Sequence, residues 1–159
     1  MNHDDADPGD DRSVPFELDG VRVGVATDER GPTGCTVVTF DRPAVIELDV
    51  RGGAPVLMNS ELPRAEAICL AGGSALGAAA AAGVADELYA RRERDPLRFP
   101  LVVGGAIYDF AEPGRTGEYP DWELGRAALV ESRAGIVPVG RVGAARAARC
   151  GKLGRDGWS

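Results

Sequence analysis

The sequence carries one histidine, His3, and it stands in an acidic stretch at the N-terminus. That single residue narrows the chemistry open to the chain. A Ser-His-Asp or Cys-His mechanism needs an imidazole held firmly beside its nucleophile, and residue 3 is badly placed to supply one. A histidine-based zinc site fails for the same reason, and no metal or cofactor site is expected. Hydrolysis is left to carboxylates, lysine, an α-amine or backbone donors. Cys35, Cys69 and Cys150 are widely spaced and form no CxxC. Cys35 and Cys69 lie in apolar runs and read as reduced core residues, which places the chain in the cytoplasm.

Other residues invite a chemical reading and have a plainer one beside it. Ser74 follows Gly72 and Gly73, but GGSALG lacks the GxSxG pattern, so Ser74 reads as a helix N-cap. The same block lacks the GxGxxG spacing of a dinucleotide site. Asp109 and Glu112 could form a carboxylate pair or simply rim a loop. Arg146, Arg149, Lys152 and Arg155 recur every three residues. That pattern fits a phosphate-contacting stripe or a solvated helix face.

The elements that must position these residues centre on 67–94. AICLA is a short apolar run suited to a buried strand. The glycine pair breaks it, and a helix follows with Leu76, Ala80, Val84 and Leu88 on one buried stripe. The five alanines 78–82, with Gly77 and Gly83, leave little side-chain bulk, so this helix is built to lie close to another backbone. Arg91, Arg92 and Arg94 suit the negative end of the helix dipole, and Pro96 bars continuation. Upstream, 21–26, 35–40 and 45–50 read as a three-strand meander, with Glu47 and Asp49 on an exposed face. Residues 60–66 read as a short helix or a loop. Downstream, 100–107 reads as a strand ending at Tyr108, 123–132 as an amphipathic helix, and 135–139 is ambiguous. A meander followed by β-α-β-α gives an α/β (α+β) domain.

The 159 residues suffice for one domain with a real core. The net charge is −7, of which −4 belongs to residues 1–12. Residues 1–15 read as a disordered acidic tail, since they hold too little apolar surface to offset ordering. The acidic balance argues against general nucleic-acid binding. The charged leader does not resemble a signal peptide, and no apolar run reaches the roughly 20 residues of a membrane span.

Five blocks, VRVGVATDERGPTGCTVVTF, DVRGGAP, AICLAGGSALGAAAAAGVADEL, VVGGAIYDF and GRVGAARAARCGK, occur in this order over roughly residues 20–152. Together they resemble the P1 family of peptidases, also called the DmpA-like or S58 family. It includes D-aminopeptidases, β-peptidyl aminopeptidases and nylon-oligomer hydrolases. The resemblance implies the N-terminal portion of a DmpA/ArgJ-like αββα sandwich, so that 16–159 form a single, incomplete domain. It implies a precursor that cuts itself, exposing a Ser or Thr whose own α-amine serves as base. It also places that nucleophile beyond the last block. The expectation is therefore a truncated aminopeptidase or amidohydrolase, inactive alone. A peptide or small amide would be its substrate once it is completed by a C-terminal segment, or it would associate with further copies. The alternative is a non-catalytic remnant or binding module that keeps the first half of the fold.

The resemblance also singles out two residues. Tyr108 matches the strand end that in some members offers a tyrosine hydroxyl to the oxyanion. The plainer reading is a packed ring with a wet hydroxyl. Arg141 stands where the family block GNVGAGTGA carries an oxyanion-holding asparagine. A guanidinium can donate to an oxyanion but is larger and charged. Ala145 replaces a glycine of the same block, and Val25 replaces the histidine of the family's GHATD.

Overall fold

The computed structural model describes residues 12–50, 57–58, 63–111 and 114–149. The acidic tail up to residue 11, the RGGAP break and Cys150 lie outside the described residues.

The alternating, β-branched segments pair first. β1 (Ser13–Pro15) is short. β2 (Val21–Asp28) and β3 (Thr33–Val45) form an antiparallel hairpin, in register from Val21 opposite Phe40 to Asp28 opposite Thr33. β3 overruns its expected end. The third meander strand expected over 45–50 does not form, and residues 46–50 are not in a strand. Instead β3 is irregular between Thr39 and Ala44, where its register against the next long strand shifts, and pairing resumes as far as Val45. Pro43 lies in that gap and has no N–H to give the ladder, which suits a break in pairing.

β4 (Leu57–Met58) is a two-residue edge strand, and β5 (Arg64–Ala71) is the strand expected around AICLA. β5 starts at Arg64, three residues before the apolar run, so 64–66 are strand and not the helix or loop expected there. A 3₁₀ turn, Ser74–Gly77, leads into α1 (Ala78–Ala90), and β6 (Val102–Ala106) follows. The expected strand, glycine turn, helix and strand over 67–110 are all present. α2 (Trp122–Val130) starts at Asp121, whose side chain accepts from the Leu124 N–H at 2.9 Å. β7 (Arg133–Ala134) and β8 (Ile136–Pro138) complete the described elements.

Six strands make one sheet in the order β4-β6-β5-β3-β2-β7. Within it β5 and β6 are parallel, as a crossover through α1 requires, and the remaining neighbours are antiparallel. β1 pairs with β8 in a separate two-stranded ribbon.

Both helices lie on one face of the sheet. Cys35, Val37, Ala67, Cys69, Ala71 and Val102 point into that layer and meet Ala80, Ala81, Val84, Ala128 and Leu129. Small side chains let the helix backbones touch. A Cβ on Gly83 would overlap the Trp122 carbonyl, and one on Gly125 would overlap the Ala80 carbonyl. The expected apolar stripe holds at Ala80 and Val84 and partly at Leu88, but Leu76 is exposed. Residues 74–77 form a 3₁₀ turn, so the 3.6-residue spacing does not extend back to Leu76.

The opposite face carries Val23, Val38, Ile68 and Leu70 at half-buried or exposed positions. Among the described residues, no helix is long and apolar enough to cross a membrane.

Candidate functional site

β2, β5 and β6 run in one direction, so Asp28, Ala71 and Ala106 end at the same edge of the sheet, where β3 begins with Thr33. The segments around 28–33, 72–74, 107–111 with 114–115, and 140–146 gather there. Backbone bonds stitch three of them together. The Gly72 N–H donates to the Gly34 carbonyl at 2.9 Å, that of Ile107 to Ala71 at 2.7 Å, and that of Ser74 to Ile107 at 3.0 Å.

Asp109 is buried at the centre of this end. Its Oδ1 accepts from the Gly73 N–H at 2.8 Å and from Arg115 Nη2 at 3.1 Å, and its Oδ2 accepts from the Thr33 hydroxyl at 3.1 Å. Arg115 also donates through Nη1 to the Gly31 carbonyl. Its guanidinium lies over the Phe110 ring, 4.9 Å from the centroid, and Phe110 meets the Tyr108 ring edge-on at 6.4 Å and 90°. Arg115 and Asp109 have side chains only 1% and 2% exposed, so this is a buried ion pair supported by neutral donors. It exists because position 72 has no side chain. A Cβ there would overlap Asp109 Oδ2 and sit 2.5 Å from the Thr33 hydroxyl. Both oxygens of Asp109 are engaged, and Glu112, the other member of the carboxylate pair or loop rim, lies outside the described residues.

Ser74 does not cap the helix as expected. Gly73, at φ 82° and ψ 13°, caps the 3₁₀ turn, and no side-chain capping bond forms. An N-cap residue needs extended backbone, whereas Ser74 is itself left-handed at φ 54°. Cys35 is no nucleophile either. The adjacent Cys69 sulfur, and then burial, push its thiol far above its ordinary range, and its Sγ lies 3.5 Å from the Leu124 carbonyl.

The two residues singled out by the resemblance sit on this end in separate segments. Tyr108 follows β6 and is 56% exposed. Arg141 is exposed beside β2 and β3, its Nε 3.4 Å from the Arg146 carbonyl. The turn after Arg141 is docked on the sheet. Gly143 N–H donates to the Thr27 hydroxyl at 2.9 Å and Ala144 N–H to the Thr36 hydroxyl at 3.1 Å. Arg146 pairs with Glu29 at 2.6 Å, and those bonds hold the Glu29 carboxyl below its ordinary value. Arg30 does the same to Asp28 at 2.7 Å. Over its described part, Arg146 and Arg149, the basic stripe is not a helix face. Residues 143–145 make a single 3₁₀ turn, Arg146 is ion-paired, and Lys152 and Arg155 lie outside the described residues.

Sequence reasoning missed Arg115, Thr33 and Gly31. The one local signal is an isolated arginine between Gly114 and Gly117 in a turn-rich loop.

Comparison with known proteins bears on the same residues. The sequence profile of peptidase family S58 matches residues 16–155. A 6-aminohexanoate-oligomer endohydrolase of Paenarthrobacter ureafaciens is 43% identical over 143 residues, covering 89% of this chain and 40% of that protein. An uncharacterized aminopeptidase of Mycobacterium tuberculosis (strain ATCC 25618 / H37Rv) is 37% identical over 131 residues, covering 76% of this chain and 37% of its own. A solved Burkholderia sp. beta-aminopeptidase shares the fold with a TM-score of 0.61 at 22% identity, covering 86% of this chain and 44% of that one. The chain thus spans less than half the length of each of these relatives. Since the profile runs from before β2 through the docked turn at 143–146, the chain belongs to peptidase family S58.

Proposed function

We propose that this chain is the N-terminal portion of an amide hydrolase that acts on a peptide or small amide. Its Ser or Thr nucleophile comes from sequence beyond the matched residues and is exposed by self-cleavage. The observation that carries this reading is the 43% identity, over 89% of the chain, with a protein named as a 6-aminohexanoate-oligomer endohydrolase.

The chemistry of the sheet end agrees. Among the described residues no imidazole stands beside Ser74, Cys35 is held as a thiol, and Asp109 has both oxygens engaged. What this end offers is exposed donors. The tetrahedral intermediate of amide hydrolysis gathers negative charge on one oxygen, and aimed donors stabilise it. Tyr108 supplies such a donor through its phenol. Arg141 is a second one, whose long 3.4 Å bond to a carbonyl holds it weakly. A complementing C-terminal segment, or a further copy, covers the sheet face bearing Val23, Val38, Ile68 and Leu70. Until it does, the chain is inactive, and the protein works in the cytoplasm. A non-catalytic binding module is the second reading, favoured by Arg141 where the family block has asparagine.

The test assays the purified 159-residue chain, and the same chain joined to whatever coding sequence follows Ser159, against 6-aminohexanoate oligomers and aminoacyl amides. The longer form should turn over and show two fragments by denaturing mass spectrometry, while the short form does neither. Tyr108→Phe in the longer form should lower kcat about 10²–10³-fold. Turnover by the short chain alone overturns the proposal. An intact, inactive longer form supports the binding module.

A further inference from the structure

We infer that Arg115 is a positioning residue for Tyr108, acting through the two residues that follow it, Asp109 and Phe110. The inference rests on the reading of Tyr108 as an oxyanion donor. Tyr108 is exposed and follows the last residue that closes the β6 ladder, Ile107. An exposed side chain on a strand end is ordinarily free to sample rotamers, and an oxyanion donor that wanders by 1 Å loses most of its effect. Here the two residues that follow Tyr108 converge on a single guanidinium. Asp109 is held by Arg115 Nη2 at 3.1 Å, and Phe110 lies under the guanidinium plane at 4.9 Å. Phe110 then presents its ring edge-on to Tyr108.

Arg115 is itself fixed from a third direction by the Gly31 carbonyl on the β2–β3 turn. Asp109 carries the restraint onward to Gly73 and Thr33. The backbone on the C-terminal side of Tyr108 and the ring beside it are thus referred to the same buried point. Arginine suits this task where lysine does not. Its planar fork donates to Asp109 and Gly31 together while its face stacks on Phe110, and an ammonium offers neither the fork nor the stacking face.

The experiment uses the natural-length protein, labelled with ¹³C in its tyrosine rings. Tyr108→Phe identifies the Tyr108 signal by its loss. Arg115→Lys should shift or broaden that signal while leaving the Tyr89 signal, at the other end of α1, in place. If Arg115→Lys does not fold, Phe110→Leu removes the ring contact, keeps the ion pair and should give the same selective change. In the kinetic arm, Arg115→Lys should lower kcat about 10–100-fold with KM unchanged. The double variant with Tyr108→Phe should be no slower than Tyr108→Phe alone. A Tyr108 signal untouched in a folded Arg115→Lys or Phe110→Leu protein overturns the inference, as does full additivity in the double variant. A fully active Tyr108→Phe protein overturns the oxyanion reading instead, and leaves the spectroscopic arm to judge the positioning.

Discussion

The two ends of the sheet use the same ionic chemistry under opposite conditions. At the end where β5 and β6 finish, Asp109 and Arg115 pair with side chains 2% and 1% exposed. At the other end, Asp86 in the last turns of α1 and Arg94 just beyond it pair at 2.9 Å with side chains 48% and 58% exposed. Water solvates the second pair whether or not it forms, so it adds little. The first pair has left water behind and depends on every donor around it. The difference teaches that charge pairing by itself is uninformative here. What marks the first end is that the β2–β3 turn, the Gly72-Gly73 turn and the segments after β6 must all be correct for its charges to be paired.

That contrast can be broken by mutation, and the largest effect belongs to the buried pair. Asp109→Ala strands the Arg115 guanidinium in the interior and should cost about 3–5 kcal/mol in denaturant unfolding. A loss below about 1 kcal/mol would mean that water reaches Arg115 and that the two ends are alike.

Gly72→Ala comes next. Its methyl group overlaps the Asp109 carboxylate, and the expected loss is about 1–3 kcal/mol. Gly117→Ala, with no atom within 4 Å of its added carbon, is the control in the same part of the chain and should be near neutral.

A smaller effect comes from acid. The folded value of Glu29 lies below the ordinary 4.5 because Arg146 holds the carboxylate. The stability this contributes is fully present above that ordinary value and is lost as the pH falls through the lowered one. Melting midpoints of the wild type and Glu29→Gln should therefore differ at pH 7 and converge in acid. The gap is modest because the Glu29 side chain is 67% exposed. A gap that persists unchanged to pH 2 contradicts the assignment. Smallest of all, Asp86→Asn should leave the melting temperature unmoved, as expected of a solvated pair.

How much of this was legible in the sequence follows from how far each feature reaches. β5, the glycine turn, α1 and β6 could be read because each depends on neighbours within a few residues. The overrun of β3 could not, because its end is set by pairing with Arg64 and Ala65, about 20 residues on. Leu76 misled the periodicity because a 3₁₀ turn looks helical in a hydrophobic pattern. Tyr108 and Arg141 were singled out only through the family resemblance, since neither has a local pattern. The Asp109 cluster was hidden for a different reason. Thr33 and Asp109 are 76 residues apart, and the sheet order alone brings them together.

The docked turn has a consequence for the order of assembly. The hairpin β2–β3 and the crossover unit β5-α1-β6 are local structures that close short loops. The turn at 143–146 is different, for Arg146 meets Glu29 across 117 residues of chain. Its anchoring hydroxyls, Thr27 and Thr36, are in place only when the hairpin is built. Long-range closures of this kind form late and open early, so the segment bearing Arg141 should be the first part of this end to let go. The Gly143 and Ala144 amides report on it directly. In native-state hydrogen exchange they should exchange well before the amides of β3, and by a route that does not require the sheet to open.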